Sequence, residues 1–317
     1  MKKLGSHMSV EGGLHRSLER GAEAGCDTVQ IFTRSSRQWK APPLAREEIA
    51  RFRERLGGEG PAPAVAHASY LINMGSPDPA LHRRSLSALV EEIDRCELLG
   101  LPGLIIHPGA HMGEGVEAGM KRIARCLDAA WKRRPRARVR ILLENTAGMG
   151  SSVGHTLEQL AGIRAMTREP GRIGFCIDTC HLFAAGYDIS TRSGYEATVA
   201  GIERILGLDR VGAFHLNDCK GALGCRLDRH EHIGDGGLGI TGFWCLMNDP
   251  RFEEIPMILE TPKGPDLAED RINLALLRAQ AGRKRPVKGP TVGNPGPRSG
   301  GRSPRPSGDA AASRRRR

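Results

Sequence analysis

The sequence predicts one (β/α)8 TIM barrel followed by a basic tail. Three observations support this. Eight short apolar or β-branched runs alternate with longer helical patterns, as a doubly layered α/β chain requires. The last six of those eight runs all carry His, Asp or Glu at or near their last residue. Charge, finally, is unevenly spread: residues 281–317 hold 11 basic residues and one acid, so the first 280 are nearly neutral within a net charge of +11.

The strand candidates are 3–8 (KLGSHM), 28–32 (TVQIF), 63–67 (PAVAH), 103–107 (GLIIH), 139–144 (VRILLE), 172–178 (RIGFCID), 211–216 (VGAFHL) and 256–260 (PMILE). Helical patterns fall at about 12–25, 44–56, 79–100, 114–133, 155–167, 195–207 and 265–281. In the third, Leu86, Leu89, Val90 and Ile93 share one face, and Gly100 stops the helix. A chain of 317 residues can bury a barrel core. The barrel domain is expected over 1–280. Residues 281–317 are rich in Gly, Pro and Arg and show no apolar period, so a disordered tail is expected there. Its charge suits non-specific contact with nucleic acid.

No apolar run is long enough for a membrane helix. MKKLGSHMSV has no apolar signal core, and the eight cysteines show no paired zinc-ribbon spacing. A cytoplasmic protein with reduced thiols is expected, with Cys176 and Cys180 as packed side chains.

In a (β/α)8 barrel the C-terminal strand ends point into the mouth. His67, His107, Glu144, Asp178, His215 and Glu260 occupy such ends. His181 follows Asp178 by three residues, and Asp228 and His230 are two apart in LDRH, which puts them on one side of an extended segment. Crowded carboxylates repel unless cations separate them. Imidazole nitrogen and carboxylate oxygen suit zinc, and such sites also accept manganese. Nine candidate ligands, at about four bonds per ion, make three sites.

HPGAH (107–111), LLENTAG (142–148), CIDTCHLFAAGYD (176–188), HLNDCKGALGCRLDRHEHIGDGGLG (215–239) and ILET (258–261) resemble the signatures of the endonuclease IV family, zinc-dependent apurinic/apyrimidinic endonucleases of base-excision repair. The likeness spans about 1–280 and departs from the family at Asp235, where a Glu is usual. It implies three Zn2+ ions: His67, His107 and Glu144 at the first; Glu144, Asp178, His215 and Glu260 at the second; His181, Asp228 and His230 at the third. It also implies a metal-bridging hydroxide attacking on the 5′ side of an abasic site, with Glu144 and Glu260 as catalytic groups. Arg37 and Tyr70 match positions that wedge into duplex DNA around the lesion, and Asn73 is a weaker candidate for a DNA-backbone contact. His7 and His111 are candidate partners that orient ligands. A monomer that binds duplex DNA and no membrane is expected. The rival reading is a sugar isomerase or epimerase that uses one metal on Glu144, Asp178, His215 and Glu260.

Overall fold

The computed structural model describes residues 2–58 and 60–293. Eight parallel strands close into a barrel in the order β1-β10-β7-β6-β5-β4-β3-β2. They are β1 (Lys3–His7), β2 (Thr28–Phe32), β3 (Ala64–His67), β4 (Gly103–Ile106), β5 (Arg140–Glu144), β6 (Ile173–Asp178), β7 (Val211–His215) and β10 (Pro256–Leu259). Each matches an expected strand. A small antiparallel hairpin, β8 (Asp218–Cys219) and β9 (His230–Glu231), rises beyond β7.

The seven expected helices are present as α1 (Leu14–Glu23), α2 (Arg46–Gly57), α3 (Pro79–Leu99), α4 (Val116–Arg133), α5 (Leu157–Met166), α7 (Arg192–Ile205) and α9 (Ala268–Gln280). Two more, α6 (Thr179–Ala185) and α8 (Ile240–Met247), were not anticipated. α8 reads ITGFWCLM and is apolar almost all round, so it has no polar face to give a helical period. α6 is short and buried, and it starts directly from β6. The α3 boundaries follow local chemistry. Asp78 accepts from the Ala80 N–H (2.8 Å), Pro79 opens the first turn, and Gly100 ends the helix at φ 75°.

Strand alternation divides the core in two. Outward residues such as Leu104, Ile106, Leu143 and Phe175 pack under the helices. Inward residues Val65, Ile105, Leu142, Cys176, Ala213 and Ile258 form a separate cluster inside the barrel. Leu142 fills the axis because its neighbours give way: a Cβ on Gly212 would lie 2.7 Å from its side chain, and one on Gly174 2.8 Å. Each inward residue is followed two positions later by His67, His107, Glu144, Asp178, His215 or Glu260. The period of two therefore stacks a polar layer directly above the apolar plug.

The last helix ends at Gln280, where the tail was expected to begin. Residues 281–293 have no helix or strand but are tied to the barrel wall by hydrogen bonds. The rest of the expected tail, 294–317, lies outside the described residues.

Candidate metal centre

The nine candidate ligands converge on one rim in three interlocking groups. His67, His107 and Glu144 bring donor atoms together, as do Glu144, Asp178, His215 and Glu260, and Asp178, His181 and His230. Asp228 joins the third group through His181 Nε2 (3.2 Å) and His230 Nε2 (3.4 Å). Glu144 is shared by two groups, as expected. Asp178 is also shared, which the sequence did not suggest.

Hydrogen bonds orient four of the five imidazoles. His67 Nδ1 donates to Ala68 O (2.7 Å), leaving Nε2 3.1 Å from Glu144 Oε2. His181 Nδ1 donates to Asn145 O (2.9 Å) and leaves Nε2 toward Asp228. His230 Nδ1 lies 3.3 Å from Glu260 O, with Nε2 toward Asp178 and Asp228. His215 is reversed. Its Nε2 donates to Gln30 Oε1 (2.8 Å), and Nδ1 faces Glu144 Oε1 (2.8 Å) and Glu260 Oε2 (3.2 Å). One nitrogen is thus fixed as a donor, and the lone pair of the other turns to the carboxylates, as a metal-ligating histidine requires.

Two of these residues, His181 and His230, have a buried Nε2 with no hydrogen-bond partner. Glu144 and Asp178 are fully buried, and no lysine or arginine pairs with them among the described residues. Orphaned nitrogens beside buried carboxylates fit an N/O-coordinated divalent cation.

Protonation follows the same geometry. Burial would raise the Glu144 carboxyl, but His215 and His107 outweigh it and hold it well below the usual range. Glu260 is likewise held low, against burial, by His215 and His7. Burial opposes the charge on His181, yet Asp178 and Asp228 raise it well above an ordinary imidazole. In the same way burial is overcome at Asp228, which His181 brings down to about 2.

Neighbouring polar residues lock the carboxylates. Asp178 Oδ1 accepts from the His181 N–H (2.7 Å) and so caps α6, while Asn217 Nδ2 donates to Oδ2 (2.8 Å). Asn145 Oδ1 accepts from the Asp178 N–H (2.8 Å), and Asn217 Oδ1 accepts from the Glu260 N–H (2.8 Å). Gln30 Nε2 donates to Glu260 Oε1 (2.6 Å). Gln30, Asn145 and Asn217 escaped the sequence reading. The signal for Gln30 was a lone amide at an inward position of an apolar strand; the two asparagines directly follow or nearly follow ligands in LLEN and HLN.

The other expected residues divide. His7 Nδ1 lies 3.4 Å from Glu260 Oε1 and 2.8 Å from Gln30 Nε2, so it sits against a ligand. His111 does not. Its Nδ1 accepts from the Gly113 and Gly115 N–H groups (3.2 and 3.1 Å), which shapes the turn into α4. Asn73 also turns inward: its Oδ1 accepts from Ala110 and Gly75 N–H groups (2.8 and 3.0 Å), joining two loops. Tyr70 stands exposed at the rim, 5.3 Å from the His67 ring and 6.0 Å from His107. Arg37 is exposed on the neighbouring loop and outside the ligand groups. Arg34 pins that loop through Trp39 O (3.2 Å). A mouth cavity of about 600 Å³ is lined by Tyr70, Glu260, Lys220 and Arg229 among others, and the last two were not singled out from sequence. Cys176 and Cys180 are buried free thiols; burial pushes Cys176 up to about 12, away from the reactive thiolate.

Residues 18–280 match the model of the xylose isomerase-like TIM barrel family. A probable endonuclease 4 of Chloroflexus aurantiacus is 47% identical over 279 residues, 88% of this chain and 98% of the relative. One from Geobacter sulfurreducens is 48% identical over 275 residues, 87% and 93% of the two chains. The chain belongs to the endonuclease IV family. The crystal structure of endonuclease IV from Thermus thermophilus superposes with a TM-score of 0.78 at 36% identity, covering 88% of this chain and 98% of that one. A D-tagatose 3-epimerase-like protein shares the fold alone, with a TM-score of 0.66 at 19% identity. The nine rim residues all lie within the part matched to the family model. No helix among the described residues is long and apolar enough to cross a membrane.

Proposed function

We propose that this chain is a zinc-dependent endonuclease of DNA repair that hydrolyses the phosphodiester 5′ to an abasic site in duplex DNA. The products are a 3′-hydroxyl and a 5′-deoxyribose phosphate. One observation carries the reading: three ligand groups interlock through shared carboxylates at a single open rim. His67, His107 and Glu144 would hold one ion, Glu144, Asp178, His215 and Glu260 a second, and His181, Asp228 and His230 a third. When bound, the ions would supply hydroxide near neutral pH and neutralise charge on the phosphate oxygens.

The chain's own groups supply the rest. Glu260, held by Gln30 and His7 beside the mouth cavity, orients the attacking water. Lys220 and Arg229 line the same cavity and offer cations to the phosphate backbone. Tyr70 projects from the rim where an aromatic ring can fill a gap in the base stack, with Arg37 on the adjoining loop. The protein acts as a monomer in the cytoplasm, and its basic tail adds phosphate contacts without sequence preference.

The test is cleavage of a synthetic abasic duplex by metal-loaded and chelator-treated protein, with metal counted by elemental analysis. We expect about three zinc ions per chain, incision 5′ to the lesion, and loss of incision on chelation with recovery on adding Zn2+. Undiminished incision by fully stripped protein overturns the reading. One ion per chain with sugar epimerisation and no incision would favour the isomerase instead.

A further inference from the structure

The face opposite the rim carries a basic patch that the mouth does not use. Residues 132–140 read KRRPRARVR, with six cations and no acid. They close α4, cross to β5 and enter it at Arg140. Arg140 and Glu144 stand at opposite ends of β5, so the patch and the rim ligand are about 13 Å apart along the strand, at about 3.3 Å per residue. Arginines from the next loops adjoin it. The Arg172 guanidinium lies over the Trp131 ring (3.8 Å) and donates to Ala137 O and to Arg134 O (3.3 Å), which moulds the turn between α4 and β5. The Arg168 N–H donates to Asp128 Oδ1 of α4 (2.8 Å), while its side chain is 91% exposed.

Nearby acids are already engaged. Arg134 grips Asp94 with two nitrogens. Glu97 Oε1 accepts from the Arg138 and Val139 N–H groups (2.7 Å each). Glu169 pairs with Arg172 (3.2 Å) and Asp209 with Arg210 (3.0 Å). The side chains of Lys132, Arg133, Arg136 and Arg138 are exposed, and the ion pairs of this face among the described residues go to other groups. Arg140 Nε is buried without a hydrogen-bond partner, and burial and Arg210 both work against its charge. Cations also suit the C-terminal end of a helix, which accounts for Lys132 and Arg133 at the end of α4. It does not account for Arg136 and Arg138, which lie beyond the helix.

We propose that this far face binds a second segment of duplex DNA through its phosphates, so that one chain holds two segments at once. The choice of duplex DNA rests on the activity proposed above. Crowded, unpaired cations repel one another, and a phosphate backbone relieves that repulsion while releasing its own counterions. Guanidinium groups match phosphate oxygens in pairs, and such contacts hold a duplex without reading its sequence. A duplex lying across the mouth is kept from these residues by the height of the barrel.

The test uses the full chain and an excess of short intact duplex, with duplexes per chain counted by sedimentation. The unaltered chain should carry two. A variant with Lys132→Gln, Arg133→Gln, Arg136→Gln and Arg138→Gln should carry one, with its melting curve and its kcat on an abasic duplex little changed. Replacing the same three arginines by lysine keeps the charges, and that chain should still carry two. The second duplex should leave the unaltered chain with a log–log salt slope of about 3–4, the value for four phosphate contacts. One duplex on both the unaltered and the Gln chain overturns the inference, as do two on both. One on the unaltered chain and none on the Gln chain would keep this face and sink the activity proposed for the mouth. A face that takes a glutamate-rich peptide but no duplex would be a protein-docking surface, and the inference would fall.

Discussion

Two of the buried charged clusters among the described residues are neutralised by opposite means. Under the β2–α2 loop, Glu92 of α3 faces Arg34 Nε (3.3 Å) and the Thr33 hydroxyl (2.6 Å), while Arg95 Nε donates to Thr33 O (3.0 Å). The cations there are guanidinium groups that never lose their proton. At the rim, Glu144 and Asp178 face only imidazoles among ionisable cations of the described residues. An imidazole can surrender its proton and present a lone pair to a metal. The first cluster is a finished structural element. The second gathers imidazoles and carboxylates whose donor atoms can hold divalent ions.

The largest effect that tests this contrast is at the rim. Glu260→Gln keeps the side chain's shape but removes a charge facing His215 Nδ1. Incision should fall by about 10²–10⁴-fold, with abasic duplex still bound and the melting curve of stripped protein little changed. Near-normal turnover would remove Glu260 from the mechanism. A large loss of stability would show that the rim is structural after all.

Arg34→Met is the complementary change. It leaves Glu92 buried with a lost partner, and unfolding free energy should drop by about 3–5 kcal/mol in urea titration. Zinc content should stay as in the parent, since Arg34 touches no rim ligand. A variant that keeps its stability but loses metal would reverse the two clusters' roles and refute the comparison.

Why one cluster could be read from sequence and the other could not follows from strand geometry. Six rim ligands sit at or near the ends of apolar strands, and in a (β/α)8 barrel such ends face the mouth, so strand position alone singles them out. His181, Asp228 and His230 lie beyond the barrel strands and are marked only by local spacing, three residues after Asp178 and two apart in LDRH; their grouping into one site came from the family motifs. The Arg34–Glu92 pair joins a loop to the middle of α3, 58 positions apart, and neither residue breaks a pattern locally. Gln30 did break one, as an amide among Val29 and Ile31, yet its role depends on β2 standing near β10 across the closed barrel. α8 was missed for the opposite reason: a helix buried on all sides carries no polar stripe. His111 and Asn73 hold loop backbone N–H groups, a role that a loop sequence does not tell apart from orienting a ligand.

Tyr70 sharpens the contrast at smaller scale. It is 58% exposed, yet its ring borders His67, His107 and Phe32. Tyr70→Ala should leave zinc content and stability near those of the parent. Preference for abasic over intact duplex should fall about ten-fold, the size of one lost stacking contact. An unchanged preference would exclude Tyr70 from recognition.

The smallest effect concerns the pH dependence of the finished cluster. Burial pushes the Glu92 carboxyl up, and Thr33 and Arg34 pull it back without cancelling the rise. Its folded pKa therefore lies above the unfolded one, near about 4.3. Between those values the folded chain binds more protons than the unfolded chain, so this residue's contribution to stability falls as pH rises. Below the window both states are protonated, and the cost of burying an ionised Glu92 disappears. Glu92→Gln cannot titrate. Measured with chelator present, so that metal exchange does not intervene, the parent's stability relative to this variant should decline as pH rises from about 4.3, the ordinary glutamate value, toward neutrality. The rim histidines are common to both chains and cancel in the difference. A flat difference would mean that Arg34 and Arg95 neutralise Glu92 fully in the folded state; a difference rising with pH would make the ionised pair a net stabiliser, and guanidinium pairing would then do more than offset burial.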